Sequence, residues 1–151
     1  MKTNDYCAIE RISAEEFYKC ANIWDMEKCP FTDEFYQQIK SGNRISFVYK
    51  IGGKFIGQGD LVLNKEGYTI SNERVYLSRL IVKKKYRNKG IGSLLTDFLI
   101  DKAKDMGYRE IALGVDCGNE NALHLYKKKG FEIYAQDKDE YGAFYKMLKK
   151  L

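Results

Sequence analysis

Proline and histidine occur once each in this 151-residue chain, as Pro30 and His124. A lone histidine cannot supply the paired imidazoles of a histidine-rich zinc site. Cys7, Cys20, Cys29 and Cys117 have no close CxxC-type spacing, so zinc and dithiol redox motifs are excluded. They read as reduced, mostly small core residues, and no metal is expected. No apolar run approaches the roughly 18 residues of a membrane span. The opening MKTNDYCAIE lacks a signal-peptide core. Cytoplasmic location and no membrane partner are therefore the default. Low-complexity tracts and repeats are also missing. Two phosphate-binding strings fail as well. No Gly-Lys-Ser/Thr follows a glycine at Walker spacing, and Leu95 stands where a dinucleotide fingerprint needs its last glycine.

What is present is enough for one globular domain, taken as residues 1–151. Hydrophobic residues make up 44% of the chain, sufficient for a real core. The net charge is +5, and Lys83, Lys84, Lys85, Arg87 and Lys89 concentrate it in one place. Such a cluster serves phosphate groups on a ligand or is simply solvated. No zinc-finger, RNA-recognition or helix-turn-helix signature accompanies it, so nucleic acid is not the expected partner.

The chain is organised around Val75–Met106. VYLSRLIV alternates and reads as a strand. IGSLLTDFLIDKAKDM sets Ile91, Leu94, Leu95, Phe98, Leu99 and Met106 at helical spacing. Between them lies Arg87-Asn88-Lys89-Gly90-Ile91-Gly92. Glycines permit a tight turn and close ligand approach, and the helix N-terminus that follows attracts an anion. This stretch is a phosphate cradle.

Upstream, Tyr6–Ile12 reads as a strand. Ser13 and Glu16 then form a capping box for a helix with Phe17, Cys20, Ala21 and Trp24 inward. Cys29-Pro30 breaks it. Thr32 caps a second helix with Phe35 and Ile39 inward, ended by Ser41-Gly42-Asn43. Strands 44–51 and 54–63 flank the hairpin turn Gly52-Gly53. Gly57 and Gly59 mark a bulge or a close backbone approach. A polar connection, 64–72, includes a short strand at Tyr68–Ile70. Downstream, Gly107 caps the long helix, and 109–117 forms a strand parallel to the Val75 strand. A short helix begins at Asn119 or Asn121, with Ala122, Leu123 and Tyr126 inward and Gly130 at its end. Strands 131–134 and 143–148 close the chain around an acidic turn, Asp137–Glu140.

Arg87-x-x-Gly90-x-Gly92 and Asn119-x-x-Ala122-x-x-Leu125-Tyr126-x-x-x-Gly130-Phe131 occur in this order, followed by a last strand FYKML. Together they resemble the signatures of the GNAT superfamily of N-acetyltransferases. The resemblance covers residues 44–148 by motif and the two N-terminal helices by order. It implies an α+β or α/β fold: a mixed sheet of six to seven strands flanked by about four helices, splayed between strands 4 and 5. It also implies acetyl-coenzyme A as co-substrate, a primary amine as acceptor, and room for a homodimer.

By the same resemblance, the backbone of Leu80, Ile81 and Val82 holds the pantetheine arm, which Asn119 also contacts. Arg87, Asn88, Lys89, Gly90, Ile91, Gly92 and Ser93 hold the pyrophosphate. Tyr126 is the general acid to the leaving thiolate. Gly114 stands where some members carry a glutamate base, which leaves Glu73, Asp116 or a water chain for that task. Asp25, Glu27, Asp33, Glu34, Glu73, Asp139 and Glu140 lie in segments that form the acceptor cleft in the family, and their convergence would favour a cationic amine. The other reading is a non-catalytic acyl-coenzyme A binding or sensing module.

Overall fold

The computed structural model describes residues 6–151. Its centre is one seven-stranded sheet in the order β1-β2-β3-β4-β5-β7-β6. The strands are β1 (Cys7–Arg11), β2 (Arg44–Ile51), β3 (Lys54–Val62), β4 (Arg74–Val82), β5 (Glu110–Asp116), β6 (Glu132–Asp139) and β7 (Gly142–Lys150). All neighbours are antiparallel except β4 and β5, which run parallel. The expected mixed sheet is therefore observed.

The helices are a 3₁₀ helix (Ala14–Asn22), α1 (Thr32–Ser41), α2 (Ile91–Asp105) and α3 (Glu120–Lys128), with a single 3₁₀ turn at Lys84–Tyr86. One face of the sheet packs Phe47, Leu61, Leu77 and Leu113 against Leu99, Ala103 and Tyr126 of α2 and α3. The other packs Val48 and Phe55 against Phe17, Cys20, Trp24 and Phe35.

Several local expectations need correction. The first helix is 3₁₀ and buries Phe17 and Cys20, spaced by three; Ile23 and Trp24, just past its end, are buried as well, and Ala21 turns outward. Glu16 does accept from the Ser13 backbone N–H, at 3.1 Å. Phe31, not Thr32, caps α1, and the Thr32 hydroxyl donates back to the Met26 carbonyl at 2.7 Å. Tyr68–Ile70 forms no strand. In α2 the buried stripe is Ile91, Leu95, Leu99, Ile100 and Ala103, while Leu94 and Met106 are exposed. The last hairpin is longer than expected, with Asp137–Asp139 inside β6 rather than in the turn. Of the four cysteines, Cys20 alone is buried.

Gly52 and Gly53 take positive φ, 57° and 82°, in a two-residue turn that sets Ile51 opposite Lys54. The pairing of β3 with β4 slips between Gln58↔Ile81 and Asp60↔Ser78. Gly59 thus faces both Arg79 and Leu80, a bulge whose extra residue lies on β4. Glycine is required on β3 because α2 packs directly onto it. A Cβ at Gly59 would lie 2.6 Å from Leu99 Cδ1 and 3.4 Å from Leu80 Cδ1. Leu99 is fully buried and has little freedom to retreat. Gly59→Ala is expected to cost about 1–3 kcal/mol of stability, as overpacking does. Urea unfolding followed by circular dichroism checks this; a midpoint equal to wild type would show that the helix yields freely.

Candidate active site

β4 is paired with β3 as far as Val82 but with β5 only at Arg74↔Glu110, Val75↔Ile111 and Tyr76↔Ala112. Beyond Tyr76 the two parallel strands part. The bulge sits just past the last shared pair, and a bulge bends and twists its strand. The β5-side edge of β4 from Leu77 to Val82, including Leu80, Ile81 and Val82, therefore pairs with no strand among the described residues. A free strand edge offers backbone N–H and C=O groups to an extended partner.

The opening leads to the cradle. Asn88 and Gly90 turn the chain through positive φ, 63° and 84°, into α2. The first bond of that helix runs from the Leu94 N–H to the Gly90 carbonyl at 3.0 Å. The amides of Ile91, Gly92 and Ser93 consequently have no acceptor in the helix. A Cβ at Gly90 or Gly92 meets no protein atom within 4 Å. Gly92 also has ordinary φ, so neither packing nor backbone geometry of the fold demands glycine there. The residues present thus fit a pyrophosphate, with bare amides and clear space at one point. Arg87 donates from Nε to the Val82 carbonyl at 2.8 Å, tying the loop to the end of β4. Lys83 bonds to Asn22 at 2.8 Å and is committed to the fold, whereas Lys84, Lys85 and Lys89 are exposed.

Tyr126 comes from the α2/α3 face, 7% exposed, its ring edge-on to Phe131. Burial pushes its phenol above the ordinary 10.0, with neighbouring Tyr76 adding to the shift. It therefore holds its proton across the neutral range. Asn119 is the N-cap of α3 and accepts from the Ala122 amide at 3.2 Å. His124 is exposed.

The base candidates separate. Glu73 pairs with Arg109 at 3.4 Å at the closed end of the β4–β5 pair, away from the opening. Asp116 lines a cavity of about 260 Å³ with Tyr68, Tyr76, Gly114, Asp139 and Phe144. The Tyr68 hydroxyl occupies the space that a side chain at Gly114 would need. The acidic residues expected in the acceptor cleft do not share one cavity. Asp25 and Glu27 line one, Asp33 a second, Asp139 a third. A further cavity, about 560 Å³, is lined by Arg11–Glu16, Ile39, Lys40 and Arg44, with no residue of β4, β5 or α2.

Two features of this region are not written in local pattern. The sequence sets Tyr68 on a short strand, with nothing to tie it to Gly114. Arg79 is the single charge within VYLSRLIV, a signal that by itself names no partner. No helix among the described residues is long and apolar enough to cross a membrane, and no group of three or more potential ligands there could hold a metal.

The acetyltransferase (GNAT) family profile matches residues 7–131, and the chain belongs to that family. The N-alpha-acetyltransferase 30 of Schizosaccharomyces pombe is 33% identical over 106 residues, covering 70% of this chain and 69% of that protein. The ribosomal-protein-S18-alanine N-acetyltransferase of Escherichia coli superposes with a TM-score of 0.79 at 17% identity, over 96% of this chain and 94% of that one. A GNAT acetyltransferase of Elizabethkingia anophelis with acetyl-CoA bound gives 0.76 at 19%, over 99% and 100%.

Burial has a consequence for pH. It raises the Cys20 thiol from 9.0 to about 12, and raises the phenols of Tyr68, Tyr76 and Tyr126 above 10.0. The unfolded chain releases these protons at lower pH than the folded one. Their contribution is thus intact below pH 9.0 and is lost as pH climbs beyond it, by about 1 kcal/mol per unit for each group titrating only in the unfolded state. Thermal melts from pH 7 upward should be level to about pH 9 and then decline, and Cys20→Ala should delay the onset. A decline unchanged by Cys20→Ala would remove the thiol from it.

Proposed function

We propose that this protein transfers an acetyl group from acetyl-coenzyme A to a primary amine by direct attack on the thioester. The observation that carries the reading is the unpaired edge of β4 ending at a cradle of bare amides with no Cβ in the way. The amides near Asn88–Ser93 hold the pyrophosphate, with Arg87, Lys89 and the Ser93 hydroxyl around it. Leu80, Ile81 and Val82 pair through their backbone with the pantetheine arm, and Asn119 meets the arm from the start of α3. An N–H near Ile81–Val82 polarises the thioester carbonyl.

The amine nitrogen bonds to the carbonyl carbon, and collapse of the tetrahedral intermediate breaks the carbon–sulfur bond. The sulfur takes a proton from Tyr126, whose burial keeps the phenol protonated for that purpose. The proton lost by the amine leaves through Asp116 or a water chain, since Tyr68 fills the place beside Gly114. That same filling is what favours the second reading, a binding module without turnover.

Free-thiol release from acetyl-coenzyme A against polyamines, amino acids, aminoglycosides and short peptides separates the two. Release with one class supports transfer; coenzyme binding by calorimetry with no release across the panel supports the module. Tyr126→Phe should lower kcat about 10²–10⁴-fold while leaving coenzyme affinity near wild type, as loss of a general acid does. Unchanged kcat would remove Tyr126 from the mechanism. Gly92→Glu should abolish coenzyme binding in calorimetry, because its bulk and charge enter the cradle, yet leave the melting temperature close to wild type. Retained binding would refute the cradle.

A further inference from the structure

Arg79 lies at the bulge of β4, one residue before the segment assigned to the pantetheine arm. Its φ is +59°, a left-handed backbone that a residue with a Cβ adopts only against strain. The bulge turns Arg79 onto the same face as Ser78, which bonds to Arg44. Arg79 therefore points toward the 3₁₀ helix and α1, the side opposite Tyr126. Its guanidinium lies 4.2 Å from the ring centre of Trp24 and 5.2 Å from that of Phe35. Those contacts use its faces and leave its N–H edges unsatisfied.

Arg79 Nε is the one buried side-chain nitrogen or oxygen without a hydrogen-bond partner among the described residues. No ion pair or hydrogen bond engages the terminal nitrogens either, and these retain access to solvent. The nearest buried carboxylate is already taken. Asp60 accepts from Arg44 at 2.7 Å, from Ser46 at 2.6 Å and from Gln58 at 3.1 Å. Burial disfavours the Arg79 charge and lowers its pKa against the attraction of Asp60, whose direct ion pair is with Arg44.

We propose that Arg79 is the anchor for a carboxylate on the acceptor, so that the substrate is an amino-acid-type amine bearing a free carboxylate. The inference rests on the acetyl-transfer reading above and names its acceptor class. A guanidinium with an unused fork binds a carboxylate through paired charge-assisted hydrogen bonds. The cradle for the coenzyme phosphates begins beyond Val82, about 10 Å of strand away, so the two anion sites are separate. Held at Arg79, the carboxylate sets its amine at the opening between β4 and β5, on the side away from the thiolate acid. Trp24 and Phe35 stack on the guanidinium and hold it in place.

The test compares free L-amino acids with their carboxamides and decarboxylated amines in two assays. One is thiol release from acetyl-coenzyme A. The other is fluorescence of Trp24, the chain's single tryptophan, during titration with the same compounds in the presence of coenzyme A. Amino acids should exceed their carboxamides by about 10²-fold in kcat/KM, the loss expected when a hydrogen bond between charged groups is weakened to a neutral one. They alone should give a saturable Trp24 signal.

Arg79→Met should bring the ratio of acid to amide close to one and abolish the signal, with coenzyme affinity unchanged. Arg79→Lys should keep part of both. Arg79→Gly, which suits the left-handed backbone, serves as a well-folded variant without the side chain and should behave as Arg79→Met does. A saturable, carboxylate-dependent signal without thiol release would support the anchor while overturning acetyl transfer. Thiol release that ignores the carboxylate, or survives unchanged in Arg79→Met and Arg79→Gly, would overturn the anchor and leave acetyl transfer standing. No response to any carboxylate in either assay overturns the anchor as well.

Discussion

Parallel pairing of β4 and β5 stops after Tyr76↔Ala112, and the rest of the site depends on that limit. Three paired positions fasten the two halves of the sheet. Everything further along β4 has one satisfied edge and one open edge. The bulge at Arg79 and Leu80 bends β4 at this point, and Gly59 allows the bulge because α2 presses Leu99 onto the strand there. The tight helix–sheet contact and the cleft are thus parts of one local geometry. The cradle at the start of α2 is positioned by the same contact, since Ile91 and Leu95 pack over Gly57, next along β3.

The two faces of the sheet solve different problems. The α2/α3 face is an apolar core that seats Tyr126 on a short helix and keeps its proton in place. The opposite face carries a buried polar layer. Trp24 donates to Gln58 at 2.8 Å, Gln58 bonds to Asp60, and Asp60 is paired with Arg44. Burial pushes the Asp60 carboxyl up, while Arg44, Ser46 and Gln58 pull against it. Such a layer is costly unless every member is satisfied. All but one of its neighbourhood is satisfied, and the exception is Arg79, whose Nε has no hydrogen-bond partner among the described residues.

Strands β2 to β5 and helix α2 were legible because their patterns are local. Alternation, the Gly52-Gly53 turn and the Gly107 cap each encode a conformation within a few residues. The misses came where a neighbour decided the outcome. Helical spacing could not tell that Leu94 would face away while Ile100 and Ala103 faced the sheet, because the axis of α2 is set by Gly57 and Gly59 on another strand. Nor could it tell a 3₁₀ stripe of Phe17 and Cys20 from an α-helical one. Ahead of α2, the glycine turn is legible from its string. The carboxylates of the acceptor segments carry no such local signal for convergence: Asp25 and Glu27, Asp33, and Asp139 line three separate cavities.

By itself the sequence determined the order of elements, the glycine turn ahead of α2 and the tyrosine on α3, because each is written in adjacent residues with a fixed backbone consequence. Only the tertiary structure decided which edge of β4 stays open, that Tyr68 takes the space beside Gly114, and that Arg79 Nε is left without a hydrogen-bond partner. Those outcomes depend on which distant groups meet, and on Asp60 having spent its oxygens on Arg44, Ser46 and Gln58. A one-dimensional pattern carries the supply of donors and acceptors; the fold alone determines which of them are left over.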